Sequence, residues 1–523
     1  MTGQAAERRS KRRATRPASY AILFALFASI VIPSHLWLAR LPYFWDEAGQ
    51  FIPAALDLLH GGHLIPRSTV PNLHPPLLAA YLAGVWRLAG FDPAVTRTAM
   101  LLVASCGVLA AFLLAIELAR EARGAPAFLA AALLCISPLF FAQSELAQLD
   151  LPAMLFTTLA LLFFLQERIP LAAGCCVLLV LAKETGMVVP LVFGAWLAGE
   201  RRWRDAVWFA LPAAALGAWI ATLAHATGYW AGNAEFIRYN LLYPLHPVRL
   251  AIALARRLYF LTAANFHWIG TLAILSAWRA TQLFRSRAWH IAGTVLAAHV
   301  AMLTLLGGAV LNRYLLPVLP ILFAAMAVAV NALPRIPRLA ATALLLAGMA
   351  ACNWINPPYP FPFEENLAFR DFVELQRQAA DYVAHWYAGA IVTTAWPMTA
   401  ELAQPELGFV DRPIRVAVLP DFAPETLGRL DWSKVEIAAV FCRNWDPRAN
   451  LMHLGPVRAL WERFFGYVPG ASAAEARGRI PYPAVAHFER RGQWVEIFAN
   501  PALARVQAFR MNPGDAALHR GDR

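Results

Sequence analysis

The chain has 523 residues, 59% of them hydrophobic and only 15% charged, with a mean hydropathy of +0.49. A soluble domain usually carries about 25% charged residues, and the deficit here sits in long apolar runs, which excludes an ordinary soluble enzyme. The formal charge is +12; basic residues that hold membrane loops in the cytoplasm account for it, so the membrane and not nucleic acid is the expected partner.

In chain order, residues 1–19 are a basic cytoplasmic stretch containing RRSKRR. Tyr20–Leu38 reads as the first membrane span, retained as an anchor because no small-residue cleavage site follows it. Loop 40–97 comes next on the outer side. Within it Pro76–Phe91 is apolar but short, starts with Pro-Pro and holds Arg87, so it reads as a helix lying at the outer interface. Ten further spans are expected to start near Thr98, Ala125, Leu149, Ile169, Met187, Ala206, Tyr259, Trp289, Tyr314 and Arg338, on the criterion that about 20 residues cross a bilayer. The fifth and sixth share one apolar stretch, broken by Lys183-Glu184-Thr185-Gly186, which reads as a turn at a membrane face.

Charge orients this array. With the N-terminus inside, segments 1–19, 119–124, 166–168, 200–205, 279–288 and 334–338 carry 17 Lys/Arg in 49 residues. Segments 40–97, 143–149, 183–186, 227–258 and 312–313 then lie outside and carry 10 in 103. The higher density marks the cytoplasmic side of a multi-pass inner-membrane protein. Eleven spans make a transmembrane module of residues 20–356 and put the rest outside. From Pro357 the proline-rich NPPYPFPFEEN leads into residues of ordinary charge. Strands are expected at Ala390–Thr394, Val435–Phe441 and Trp494–Ala499, and helices at Asp371–His385 and Val457–Phe465. Residues 357–523 thus read as an extracytoplasmic mixed α/β domain.

The polar residues near the spans fall on one face. Asp46-Glu47 follows the first span, His74-Pro75-Pro76 ends the same loop, Asp150 starts the fourth span, Lys183-Glu184 joins the fifth and sixth, and Asn312-Arg313-Tyr314 joins the ninth and tenth. All are outside in this topology. Acids and bases gathered at one interface, with almost none in mid-span, point to a site there and not to a path across the bilayer. Other readings stand beside this one. Asp46 and Asp150 are each placed to cap a helix, and Lys183 and Arg313 to reach lipid headgroups. Against the last, cations on the outer side run counter to the orientation rule and need a reason. No Cys/His spacing matches a zinc site, so no metal or other cofactor is assigned.

Five motifs then occur in one order: YFWDEAGQF, NLHPPLLAAYLAG, SELAQLDLPAMLF, LAKETGMVVPL and NRYLLPVLP. Through them residues 20–335 resemble the GT-C membrane glycosyltransferases, in particular the bacterial aminoarabinose transferase and protein O-mannosyltransferase group. Two departures stand out. His74 precedes Pro-Pro where the aminoarabinose transferases have lysine, and the lysine turn reads Lys-Glu-Thr-Gly instead of Lys-Gly-Pro. The resemblance implies a polyprenyl-phosphate sugar donor, a lipid, glycan or protein acceptor, and inverting transfer at the outer face. Asp46 is then the general base, with Glu47 as its substitute and Asp150 orienting the acceptor or a cation. Lys183, Arg313 and Tyr314, with His74, are the expected donor phosphate contacts. A secondary transporter and a non-catalytic membrane scaffold are the alternatives.

Overall fold

The computed structural model describes residues 17–120, 126–280, 282, 284–445, 447 and 450–503. The basic stretch 1–16, residues 121–125 and the last part of the tail, 504–523, lie outside the described residues. All eleven apolar segments expected to span are helical. By length and composition six of the described helices are sufficient to cross a bilayer, among them Ala18–His35, Pro93–Leu118 and Arg335–Cys352. Pro126–Ile136, Asp150–Leu165, Ile169–Ala182 and Glu184–Gly199 are shorter apolar helices, as is Leu77–Ala89 in the first long loop.

Helix starts follow local chemistry. Asp92 accepts a hydrogen bond from the Ala94 amide at 2.7 Å and Pro93 takes the first helical position, so Pro93–Leu118 starts with one free donor covered and another absent. Between apolar helices in lipid the hydrophobic drive is absent, and close packing of small residues replaces it. Ala153, Ala160, Ala172, Ala173 and Cys176 are all buried. At Gly107 an added Cβ would come within 2.7 Å of the Met154 side chain, so two helices meet there. The Lys183–Gly186 break is a turn as expected, a 3-10 segment at Glu184–Met187 with Gly186 against Leu179.

One span differs from expectation. The segment expected to begin near Tyr259 begins at Pro247, where His246 accepts from the Val248 amide at 3.2 Å. It then bends by 46° between Pro247–Thr262 and Ala264–Arg279. Asn265 and Phe266 have φ of 51° and 66°, and two successive left-handed residues cannot continue a helix.

Beyond the last span lies a mixed five-stranded sheet in the order β2-β1-β3-β5-β4. Its strands are β1 Val392–Ala395, β2 Val416–Leu419, β3 Ile437–Phe441, β4 Ala484–Arg490 and β5 Gln493–Ala499. β1 runs parallel to β2 and β3, whereas β5 is antiparallel to β3 and β4. β1 and β3 are buried along their whole length, as inner strands covered on both faces must be. Helix Ala368–Trp386 packs against β4 and β5 and buries Phe369, Phe372, Val373, Leu375, Ala379 and Val383. The same helix meets the first long loop, with Phe44 edge-on to Phe369 and Phe372 at 5.9 and 5.8 Å. The Tyr43 amide donates to Leu407 O at 3.1 Å.

Candidate active site

The first loop is pinned from behind. The Glu47 carboxylate is fully buried, pairs with Arg97, and accepts from the Ala147 and Phe44 amides at 2.6 and 2.9 Å. Arg97 in turn donates to Glu145 O and Pro42 O, both at 3.1 Å. With both sides of Glu47 tied down, the adjacent backbone takes unusual shapes. Trp45 is left-handed at φ 45°, and Glu47–Phe51 forms a π-helical turn. Such features concentrate at functional sites. Here they turn Asp46 the other way from Glu47, into a cavity of about 1170 Å³ that Asp46 lines and Glu47 does not. Glu47, expected as the substitute base, is instead fully buried behind the cavity wall and lines no part of the cavity. Asp46 makes no side-chain cap, and neither does Asp150, so the capping readings fail for both.

All five segments expected on the outer face contribute to this cavity or to the network around it. Arg313 is the hub. Its Nη2 bonds Asp46, its Nη1 donates to Gln148 at 2.8 Å and reaches Glu364 at 3.3 Å, and its Nε lies 3.5 Å from Asp150. The Asp46 side chain is 36% exposed, against 3% for Asp150 and 8% for Glu364, so Asp46 is the member of this hub open to a substrate. Lys183 Nζ bonds Asp150 at 2.5 Å and stands 4.0 Å from the Tyr314 ring centre. That uses one of its three N–H groups on a carboxylate. His74 Nδ1 bonds Glu184 at 3.0 Å, which gives the extra acid of the lysine turn a partner. Of the expected residues, Asp46, Asp150, Lys183, Arg313 and Tyr314 form one connected group. His74 lines the same cavity through its own pair with Glu184, and Glu47 stands outside it.

The sequence reading missed Glu364 and Glu365, which the proline-rich connection places in the cavity wall. Both are more than nine-tenths buried. Burial raises the Glu364 carboxyl against the pull of Arg313. It pushes Glu365 up to about 7, against the Asn312 hydrogen bond and the Arg256 charge. The signal that finds them is the one that found Asp46-Glu47, two adjacent acids just beyond a span. Gln148 and Arg256 were likewise passed over. Among the described residues no group of three or more His, Cys, Asp or Glu is arranged to hold a metal ion.

No family model matches the sequence, and no curated protein matches it. Solved structures do. ArnT from Cupriavidus metallidurans bound to undecaprenyl phosphate aligns over 94% of this chain and 99% of its own, with a TM-score of 0.53 and 14% identity. Its apo state aligns over 93% and 99%, with a TM-score of 0.52 and 15% identity. The archaeal oligosaccharyltransferase AglB from Archaeoglobus fulgidus, in complex with an inhibitory peptide and a dolichol-phosphate, aligns over 91% and 74%, with a TM-score of 0.47 and 13% identity. This chain is a multi-pass membrane protein with the fold of the GT-C glycosyltransferases. Within that fold it is similar to ArnT over almost the whole length of both chains.

Proposed function

We propose that the chain transfers a sugar from a polyprenyl-phosphate donor to an acceptor at the outer face of the cytoplasmic membrane, with inversion at the anomeric carbon. The observation that carries this reading is the cavity itself. A partly exposed Asp46 faces the same space as the Lys183 cation, within a fold shared with ArnT, which was solved bound to undecaprenyl phosphate. The attacking acceptor hydroxyl must lose a proton, and Asp46 is the carboxylate placed to take it. Negative charge grows on the departing lipid phosphate, and Lys183 over Tyr314, with His74 beside Glu184, stabilises it.

Arg313 has a different task from the expected one. Three of its five N–H groups are engaged by Asp46, Gln148 and Glu364, and its Nε stands 3.5 Å from Asp150. With its guanidinium set among Asp46, Asp150 and Glu364, its role in this reading is to hold Asp46 and Asp150 in place. Asp150 holds Lys183, and Glu47 holds the Asp46 loop through Arg97. All eleven apolar helices span in this reading, the bent pair counting as one. The module 20–356 carries the site, and the domain from residue 357 closes it from outside.

Polyprenyl lipids report the function in cells. Cells lacking the gene are expected to accumulate one polyprenyl-phosphate-linked sugar and to lose its glycosylated product, and wild-type protein but not Asp46→Asn restores both. An unchanged lipid and glycan profile contradicts the proposal. Sugar uptake by proteoliposomes without transfer would favour the transporter reading.

A further inference from the structure

The cavity has a second polar corner, distinct from the Arg313 hub. Glu365, Asn312, Arg256, Tyr259 and Tyr359 all line it. Glu365 Oε2 accepts from Asn312 Nδ2 at 2.8 Å, whereas its Oε1 is shielded from water and has no partner. A buried polar atom without a partner is costly unless a ligand completes it. Arg256 has no ion pair or hydrogen bond among the described residues, although its charge acts on Glu365. The Tyr259 and Tyr359 rings meet edge to face, 6.2 Å apart. A fixed carboxyl, a free guanidinium and aromatic surfaces suit a polyhydroxylated ring, whose hydroxyls both donate and accept and whose C–H faces are apolar.

Position selects the donor. Asn312 is two residues from Tyr314, whose ring lies under Lys183, and two residues of chain span at most about 7 Å. The corner therefore shares one short segment with the tyrosine that faces the cation assigned to the phosphate. The raised carboxyl of Glu365, near 7 because of burial, lets it both donate and accept close to neutral pH.

We propose that Glu365, Asn312 and Arg256, flanked by Tyr259 and Tyr359, hold the sugar ring of the lipid-linked donor, with Glu365 Oε1 and Arg256 taking its hydroxyls. This rests on the reading that the cavity takes a polyprenyl-phosphate sugar. The test titrates purified protein in nanodiscs with undecaprenyl phosphate and with a panel of undecaprenyl-phosphate-linked pentoses and hexoses. Wild type is expected to bind undecaprenyl phosphate, and to bind at least one sugar-bearing form more tightly. Glu365→Ala should weaken the sugar-bearing form by about tenfold or more, with partial recovery in Glu365→Gln. Tyr359→Leu, which removes the aromatic face, should weaken it in the same direction. Undecaprenyl phosphate binding should be unchanged in all three. Equal weakening of both ligands, or of neither, overturns the sugar corner and leaves the donor reading intact. Failure of wild type to bind any of these lipids overturns the donor reading and the corner with it.

Discussion

Arg313 can serve several carboxylates at once because a guanidinium is planar and presents five donors in a fixed fork, whereas an ammonium is a point charge on a flexible stem. Arg313→Lys therefore keeps the charge but cannot reach Asp46, Gln148 and Glu364 together. We expect transfer to fall by roughly 10²-fold, the order caused by a small misplacement of a reacting group, and further in Arg313→Met. A headgroup-binding arginine would accept lysine with little change, so equal rates for wild type and Arg313→Lys at matched protein levels exclude the hub.

Glu145 tests the anchor behind the site. It is fully buried and both carboxyl oxygens lack partners, and burial, opposed by Arg97, pushes it up to about 8. Its ordinary value is 4.5, so the folded protein holds a proton that the unfolded chain releases between those two values. Stability therefore falls as pH rises from 4.5 to about 8 and is flat in this respect beyond. Glu145→Gln removes that slope. Its apparent melting temperature should exceed that of wild type by several degrees more at pH 9 than at pH 5; an equal difference at both contradicts a neutral Glu145.

At this scale the sequence was informative where charge stands against an apolar background: Asp46, His74, Asp150, Lys183, Arg313 and Tyr314 all line the cavity. It was silent on direction. Asp46 and Glu47 are neighbours, yet a left-handed Trp45 and a π-turn send them to opposite sides. Glu364 and Glu365 were passed over because their proline-rich setting marks a boundary first and a site second.

Among the elements, the contact between the C-terminal sheet domain and the Asp46 loop decides whether that domain is an appendage. Gly49 lies in the π-turn under Trp396, where an added Cβ would stand 2.8 Å from two ring atoms. Gly49→Ala must displace the indole or the turn, and overpacking of this kind costs about 1–3 kcal/mol. We expect reduced turnover, partly restored in Gly49→Ala/Trp396→Leu. An alanine variant with full activity would show that the domain does not press on the loop. The helices and inner strands β1 and β3 were legible because long apolar runs and buried strands leave strong patterns. β2 has only four residues and is mostly part-exposed, and β4, AVAHFER, mixes alanine with charges at a partly exposed edge. The bend at Asn265 was hidden because no proline or glycine marks it.

Across the whole molecule, charge divides between two ends. Loops 166–168, 200–205 and 279–288, all expected inside, meet in one ion-pair network. Arg287 lies 3.0 Å from Glu167 and 2.8 Å from Glu200, and Arg202 2.8 Å from Glu167. The segments expected outside gather around the cavity. This division, with 17 Lys/Arg in 49 residues against 10 in 103, predicts that a reporter active only outside the cytoplasm is active when fused to the C-terminus. An inactive fusion at normal expression reverses the orientation and places the cavity on the cytoplasmic side.

The central claim is that this cavity moves a sugar off a lipid phosphate with Asp46 as base. The direct measurement is release of undecaprenyl phosphate from undecaprenyl-phosphate-linked sugars by purified protein supplied with outer-envelope acceptors. Asp46→Asn preserves size and a hydrogen-bonding group but cannot accept the proton, and general-base catalysis is worth roughly 10²–10⁴-fold. The account predicts acceptor-dependent release by wild type and a loss of that size in Asp46→Asn, with folding unchanged. Wild-type release that Asp46→Asn matches, or no release from any donor of the panel, contradicts it.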